Sequence, residues 1–203
     1  MKDRFSIHPW KVIETAFVPG DLLFSESLFS LGNGAMGMRG NFEEDYTGDT
    51  HQGTYIGGVW FPDKTRVGWW KNGYPQYFGK VINAPNLIGL HIKVNGTLLD
   101  ADKLPIVSFH RELDMQAGTL LREVAYQLPR GQVKLSSLRF VSMDHKPLLV
   151  QKTTVQADFD AHVTILAYLD GNVHNADSNY QESFWHQLDQ TADKKEQAIS
   201  ILC

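Results

Sequence analysis

The second half of the chain alternates apolar and polar residues with a period of two, which is the pattern of half-buried β-strands. The longest alternation places six apolar residues on one face: Phe159, Ala161, Val163, Ile165, Ala167 and Leu169. Extended segments are also predicted over 120–128, 133–142 and 148–155, with a turn at Pro129-Arg130-Gly131 between the first two. Turn signals recur about every ten residues, and no long helical segment separates them. The pattern therefore predicts a mainly β fold, an antiparallel sandwich or barrel.

The first half of the chain gives weaker signals. Residues 12–18 are predicted as a strand and residues 21–30 as a turn of helix, while Asn95-Gly96 predicts a two-residue hairpin turn. Residues 48–86 are rich in glycine, proline and large aromatics, which predicts ordered loops that pack against other parts of the protein. Residues 198–202 begin a new apolar segment, so we expect this chain to be part of a longer protein.

The composition narrows the class of protein. The chain has 203 residues, 42% of them hydrophobic and 21% charged, which is ordinary for a globular domain. Its net charge is −4 and its basic residues are dispersed, which argues against a nucleic-acid or anionic-membrane partner. Cys203 is the only cysteine, and the N-terminus lacks an apolar stretch of signal-peptide length. We expect a cytoplasmic protein.

A glycine-rich segment is the most conspicuous motif. Gly32, Gly34 and Gly37 match the G-x-G-x-x-G spacing of a dinucleotide-binding turn, which needs a helix directly after it. A fourth glycine, Gly40, stands where that helix would begin. The favoured interpretation is a structural glycine motif, a bend between strands with positive φ at some of its glycines.

The candidates for catalysis are few. Glu43, Glu44, Asp45 and Asp49 form an acidic cluster of the residue type that glycoside chemistry uses. Carboxylates so close in sequence more often form a solvated acidic loop than face each other across a substrate. The eight histidines lack a helical metal-ligand spacing and no serine has a nucleophile-elbow context. Motifs alone therefore predict no catalytic residue, metal site or cofactor in this chain.

An aromatic segment over 54–75 is the feature that most resembles a binding site. Its candidate residues are aromatic side chains and neighbouring hydrogen-bonding groups: Trp60, Arg66, Trp69, Trp70, Asn72 and Tyr74. Aromatic rings stack on sugars, but tryptophan, tyrosine and arginine are also enriched at protein interfaces. We favour an interface, because a sugar site needs a concave surface that the sequence does not show.

Two of these segments carry a resemblance to a known family. Residues 27–34 and 37–44 resemble the N-terminal signature of glycoside hydrolase family 65, and residues 57–75 are similar to its maltose-acting members. Asn179-Tyr180, Phe184-Trp185 and the strand around Gln151-Lys152 extend the similarity. The family contains phosphorylases of maltose, trehalose and kojibiose.

The resemblance implies an architecture and a mechanism. Family members begin with a large antiparallel β-sandwich, followed by a helical linker, an α/α barrel and a small β-domain. Residues 1–203 would be the N-terminal sandwich, incomplete at its C-terminal end. In the barrel, a glutamic acid protonates the glycosidic oxygen while phosphate attacks the anomeric carbon with inversion. No catalytic residue is carried over to this chain, and a homodimer is implied, with the aromatic segment facing the barrel or the partner subunit.

Overall fold

The computed structural model describes residues 4–65, 73, 75–175, 183–193 and 198–202. A single α-helix, α1 (Leu22–Leu28), follows a 3-10 turn at Pro19–Asp21 in this part of the chain. The strands in chain order are β1 (Phe5–His8), β2 (Lys11–Glu14), β3 (Leu31–Gly32), β4 (Met36–Met38), β5 (Thr54–Ile56), β6 (Trp60–Lys64), β7 (Tyr77–Val81), β8 (Leu90–Val94), β9 (Thr97–Leu98), β10 (Ile106–Asp114), β11 (Thr119–Leu128), β12 (Gly131–Val141), β13 (Leu149–Ala157), β14 (Val163–Ala167), β15 (Asp189–Asp193) and β16 (Ala198–Leu202).

The largest element is an antiparallel sheet of six strands in the order β1-β2-β10-β11-β12-β13. Strands β11, β12 and β13 coincide closely with the three extended segments predicted from the sequence, and those predictions are confirmed. Strand β10 was not predicted, because Arg111 interrupts the apolar alternation between the buried Phe109 and Leu113. Consecutive strands pair antiparallel, as short turns between neighbours dictate.

A second sheet, in the order β14-β8-β9, packs on the inner face of the first. Its turn at Asn95-Gly96 has φ of 48° and 83°, so the predicted hairpin is confirmed. The interface between the two sheets is one apolar cluster that combines Ile92 and Val94 of β8 with Val124 of β11 and Leu135 of β12. The fold is thus mainly β and antiparallel, as predicted, with side chains from two facing sheets forming a sandwich core.

A second apolar cluster lies toward the other end of the six-stranded sheet. It joins Leu113, Leu120 and Val141 of that sheet to Phe29 and to residues of the small sheet β3-β4-β5. Charged side chains occupy the inner face between the two apolar clusters. The core therefore has two apolar regions separated by buried ions.

Candidate functional site

The aromatic segment 54–75 contains β5 and β6, and β6 forms a β-hairpin with β7, which follows the segment. Of its candidate residues, Trp60 belongs to this hairpin, whereas Arg66, Trp69, Trp70, Asn72 and Tyr74 lie outside the described residues. The described strands pair Trp60 with Val81, Pro62 with Gly79 and Lys64 with Tyr77. These six residues share one face, because side chains two positions apart point the same way.

That face of the hairpin is an exposed apolar surface, which we call the platform (Trp60, Pro62, Tyr77 and Val81). Trp60 is 60% exposed and Tyr77 is 56% exposed. A β-carbon built on Gly79 would lie 3.7 Å from an indole ring atom of Trp60, so the ring lies across the glycine. On the opposite face of the hairpin, the ring centroids of Phe61 and Phe184 are 5.4 Å apart.

The glycine motif and the platform line one groove. The groove has a volume of about 530 Å³, and Gly32, Gly34 and Gly37 line it together with Trp60 and Val81. Gly34 has a φ of 81° at the turn between β3 and β4, where a side chain would be strained. Gly40 lies elsewhere: its β-carbon would be 2.8 Å from Cβ of Phe29. Three glycines of the glycine motif therefore lie beside the platform, whereas the fourth, Gly40, packs against Phe29 instead.

The acidic cluster does not form the solvated loop expected from the sequence. Glu43 is 2% exposed and Glu44 is 4% exposed, while Asp45 binds Nδ1 of His91 at 2.7 Å and Asp49 remains exposed. Both glutamates reach into the sandwich and meet arginines from the six-stranded sheet. The expectation of a solvated loop was wrong for Glu43 and Glu44, because their partners stand far away in the sequence.

One of these arginines, Arg122, belongs to a line of side chains that crosses the inner face of the sheet. Glu14, Arg111, Arg122 and Ser137 are register neighbours on β2, β10, β11 and β12, and we call them the charge row. Arg111 Nη2 donates to Glu14 Oε2 at 2.6 Å, and its Nη1 donates to the carbonyl of Gly40 at 2.9 Å. The row thus attaches the glycine motif to the sheet.

Arg122 is the centre of the ion network. Its Nη1 donates to Glu44 Oε1 at 2.8 Å and its Nη2 donates to Glu43 Oε2 at 2.8 Å, with a further bond from Nη2 to Glu44. Arg139 Nη1 lies 3.3 Å from Glu43 Oε1. Burial alone would raise the pKa of Glu43, but Arg122 and Arg139 outweigh it and hold that pKa below its ordinary value.

This electrostatic arrangement is suited to structure rather than to acid catalysis. A general acid has to hold a proton near neutral pH, whereas Glu43 is held ionised by two arginines. The pKa of Arg122 is raised, since the attraction of Glu44 and Glu43 exceeds the effect of its burial. Among the described residues, no group of three His, Cys, Asp or Glu side chains is arranged to hold a metal ion. No helix within the described ranges has the length and apolar character required to cross a bilayer.

Comparison with known proteins identifies the family. The model of the glycosyl hydrolase family 65 N-terminal domain matches residues 12–202, and the chain belongs to this family. Over 190 residues it is 50% identical to maltose phosphorylase of Bacillus subtilis, covering 93% of the chain and 25% of that protein. It is 33% identical over 172 residues to kojibiose phosphorylase of Halothermothrix orenii, covering 82% and 20% respectively.

The fold comparison agrees with the sequence comparison. A solved structure of a human-microbiome protein, named as a candidate kojibiose phosphorylase, superposes with a TM-score of 0.85 at 25% identity. The match covers 94% of this chain and 25% of that one. The chain thus spans 20–25% of the length of these relatives.

Proposed function

We propose that residues 1–203 are the N-terminal, non-catalytic β-sandwich domain of a disaccharide phosphorylase, with maltose as its substrate. The observation that carries the proposal is the 50% identity to maltose phosphorylase over 93% of the chain. The reaction would convert maltose and phosphate into glucose and β-glucose 1-phosphate with inversion. The enzyme would need no cofactor, because phosphate itself is the nucleophile and one protein carboxyl serves as the general acid. Trehalose and kojibiose are the alternative substrates within the family.

The state of the carboxylates supports a non-catalytic role for this domain. Glu43 and Glu44 are buried and bound to Arg122, so neither is free to meet a glycosidic oxygen. We place the general acid and the phosphate-binding residues in the part of the relatives' length that this chain does not span. The domain would work in the cytoplasm, as the lone Cys203 suggests.

A direct test is phosphate-dependent release of glucose from maltose. The assay compares the 203-residue chain with the product of the complete reading frame that contains it. Activity in the longer protein alone is expected. Activity in the short chain would refute the non-catalytic role. Inactivity of both proteins toward maltose, trehalose and kojibiose would refute the assignment as a phosphorylase.

The platform has a proposed role of its own in the assembled enzyme. We infer that it and the adjoining segment with Trp69 and Trp70 contact the catalytic domain or the partner subunit of a homodimer. The exposure of Trp60 and Tyr77 supports this role, since large exposed aromatics serve as interface anchors. Trp60→Ala, and separately Trp69→Ala with Trp70→Ala, should weaken dimerisation or raise KM in the complete enzyme. Unchanged values of both quantities would refute the role.

A second candidate function is a freestanding carbohydrate-binding module. Exposed Trp60 and Tyr77 favour it, because an uncovered aromatic face can stack on a sugar ring. The reading frame separates the two candidates: continuation into a catalytic domain favours the phosphorylase, and a stop codon after Cys203 favours the module.

A further inference from the structure

A cavity between the segment that follows β7 and the segment that follows β14 has the composition of a ligand site. It has a volume of about 360 Å³, and Pro85 and Leu87 line it together with two segments from the C-terminal part of the chain, 169–172 and 183–187. Its described lining combines apolar with hydrogen-bonding residues: Pro85, Leu87, Leu169, Asp170, Gly171, Asn172, Ser183, Trp185 and Gln187. Small-molecule sites have this composition, a mostly apolar wall with a few polar groups, and volumes from about 300 Å³ upward.

The aromatic wall of the cavity is held in place by buried groups. Trp185 Nε1 donates a hydrogen bond to the carbonyl of Asn83 at 2.8 Å. Asn83 is itself buried, and its side-chain amide donates to the carbonyl of Gln52 at 2.6 Å and accepts from the N–H of Thr54 at 2.8 Å. The indole is therefore fixed before any ligand binds, which lowers the entropy lost on binding.

The polar wall is fixed as well. The backbone N–H of Asn86 donates to the carbonyl of Asp170 at 2.7 Å, and that of Asp170 donates back at 3.2 Å. The Asp170 carboxylate accepts from the backbone N–H of Asn172 at 2.8 Å, which orients it at the cavity wall. This bond uses one carboxylate oxygen and leaves further lone pairs for hydroxyl donors.

The charges of the lining select the class of ligand. Asp170 is an anion, and the described lining contains no lysine, arginine or histidine. An anion such as phosphate or a sugar phosphate would be repelled. A neutral polyol fits: its C–H groups pack on the indole of Trp185 and on Leu87, and its hydroxyls donate to Asp170 and bond to Asn172.

We propose that this cavity is a non-catalytic site for a neutral hexose sugar of one or two rings. The site is assigned from its own lining and is distinct from the platform. The choice of maltose and glucose as probes rests on the proposed function. A single carboxylate without a phosphate-binding cation is not sufficient for phosphorolysis, so the role is binding only.

The test is a titration of the 203-residue chain with maltose, glucose and inorganic phosphate, followed by NMR of the backbone amides. Saturable shifts are expected for both sugars at residues 169–172 and 183–187, with dissociation constants of about 1 mM, and none for phosphate. Absence of saturation by either sugar at about 50 mM would overturn the proposal. Shifts confined to the platform would overturn it equally.

Matched variants distinguish the cavity from other surfaces. Asp170→Asn keeps the size and an acceptor oxygen but loses the charge, and it should weaken sugar binding about tenfold. Asp49→Asn, at an exposed aspartate away from the cavity lining, should leave the affinity within about twofold. Unchanged binding in Asp170→Asn would refute the site. If Asp170→Asn fails to fold, the map of amide shifts in the unaltered chain decides instead. If the chain binds sugar at the cavity but the complete enzyme is inactive toward all three disaccharides, the proposed function is refuted and the sugar site is not.

Discussion

Replacement of Arg122 by methionine is expected to be among the most damaging single substitutions in the domain. The guanidinium is 3% exposed, binds Glu43 and Glu44, and lies 4.3 Å from the ring centroid of Phe42. Methionine fills similar volume but supplies no donor and no charge. Two buried carboxylates would then lose their main partner, although Glu44 keeps the Tyr126 hydroxyl and Glu43 keeps Arg139.

The magnitude follows from what remains after the substitution. Each hydrogen bond to a charged group contributes about 1.5–3 kcal/mol, and the sum is reduced because the cost of desolvating Arg122 also disappears. Breaking a buried ion pair by removing one partner costs about 3–5 kcal/mol, and we expect a loss in that range. Since domains are stable by about 5–15 kcal/mol, the variant should unfold at a much lower urea concentration.

The assay is equilibrium urea denaturation followed by tryptophan fluorescence, with two comparison proteins. Lys134→Met removes an exposed ion pair with Glu123, whose charged atoms are 2.9 Å apart, and should change stability little. Arg122→Met combined with Glu44→Gln should recover part of the loss, because Glu43 keeps Arg139 as its partner and the carboxylate at position 44 is no longer a buried charge.

The pH dependence gives an independent check. In the native protein the pKa of Glu43 is lowered, so its contribution to stability is present above the unfolded pKa of about 4.3 and is lost as the pH falls through the folded pKa. Without Arg122, burial favours the protonated acid, and the penalty shrinks as the pH falls. The gap between the two proteins should therefore narrow toward acid pH. A loss below about 1 kcal/mol at neutral pH, or a gap independent of pH, would refute the reasoning.

Two further predictions concern close packing and a buried amide. Gly40→Ala should destabilise the domain by about 1–3 kcal/mol in the same urea assay, because its β-carbon would lie 2.8 Å from Cβ of Phe29. Gly20→Ala is the control: it has open space around it and should change stability far less. Asn33→Asp should cost about 2 kcal/mol or more by thermal denaturation at neutral pH, since its amide donates to two backbone carbonyls at 2.7 and 2.9 Å. Exposed Asn172 is the control: Asn172→Asp should be near neutral, and equal effects at the two asparagines would contradict the prediction.

The sequence predicted those parts of the fold that depend on local signals. Strands β11 to β13 follow from alternation, and the turn between β8 and β9 follows from Asn95-Gly96. The alternation over 159–169 was right only in part: Phe159 and Ala161 pack on the core, but the strand is limited to β14 and its residues are exposed. The buried ions could not be predicted in this way. A strand pattern counts an arginine as a solvent-facing position, and only the fold reveals that Glu44 approaches Arg122 from 78 positions away.

The proposed binding surfaces show the same division. The aromatic content of residues 54–75 favoured an interface with another domain or subunit, and in the described part of this region Trp60 lies on an exposed apolar face. The cavity beside Trp185 had no local signal, because its walls combine Pro85 and Leu87 with the distant residues 169–172 and 183–187. Non-local assembly of this kind is not visible in the periodicity of any one segment.

The charge row also has a consequence for how the strands align. A sheet patterned only by apolar alternation tolerates a slip of two residues, because every side chain stays on its own face. In this sheet, such a slip between β10 and β11 would place Arg122 opposite Phe109 or Leu113 instead of Arg111. The guanidinium would then be buried away from its carboxylates, at a cost that the apolar contacts do not offset. The buried ions thus fix the register of four strands, and they favour the native pairing over pairings shifted by two residues.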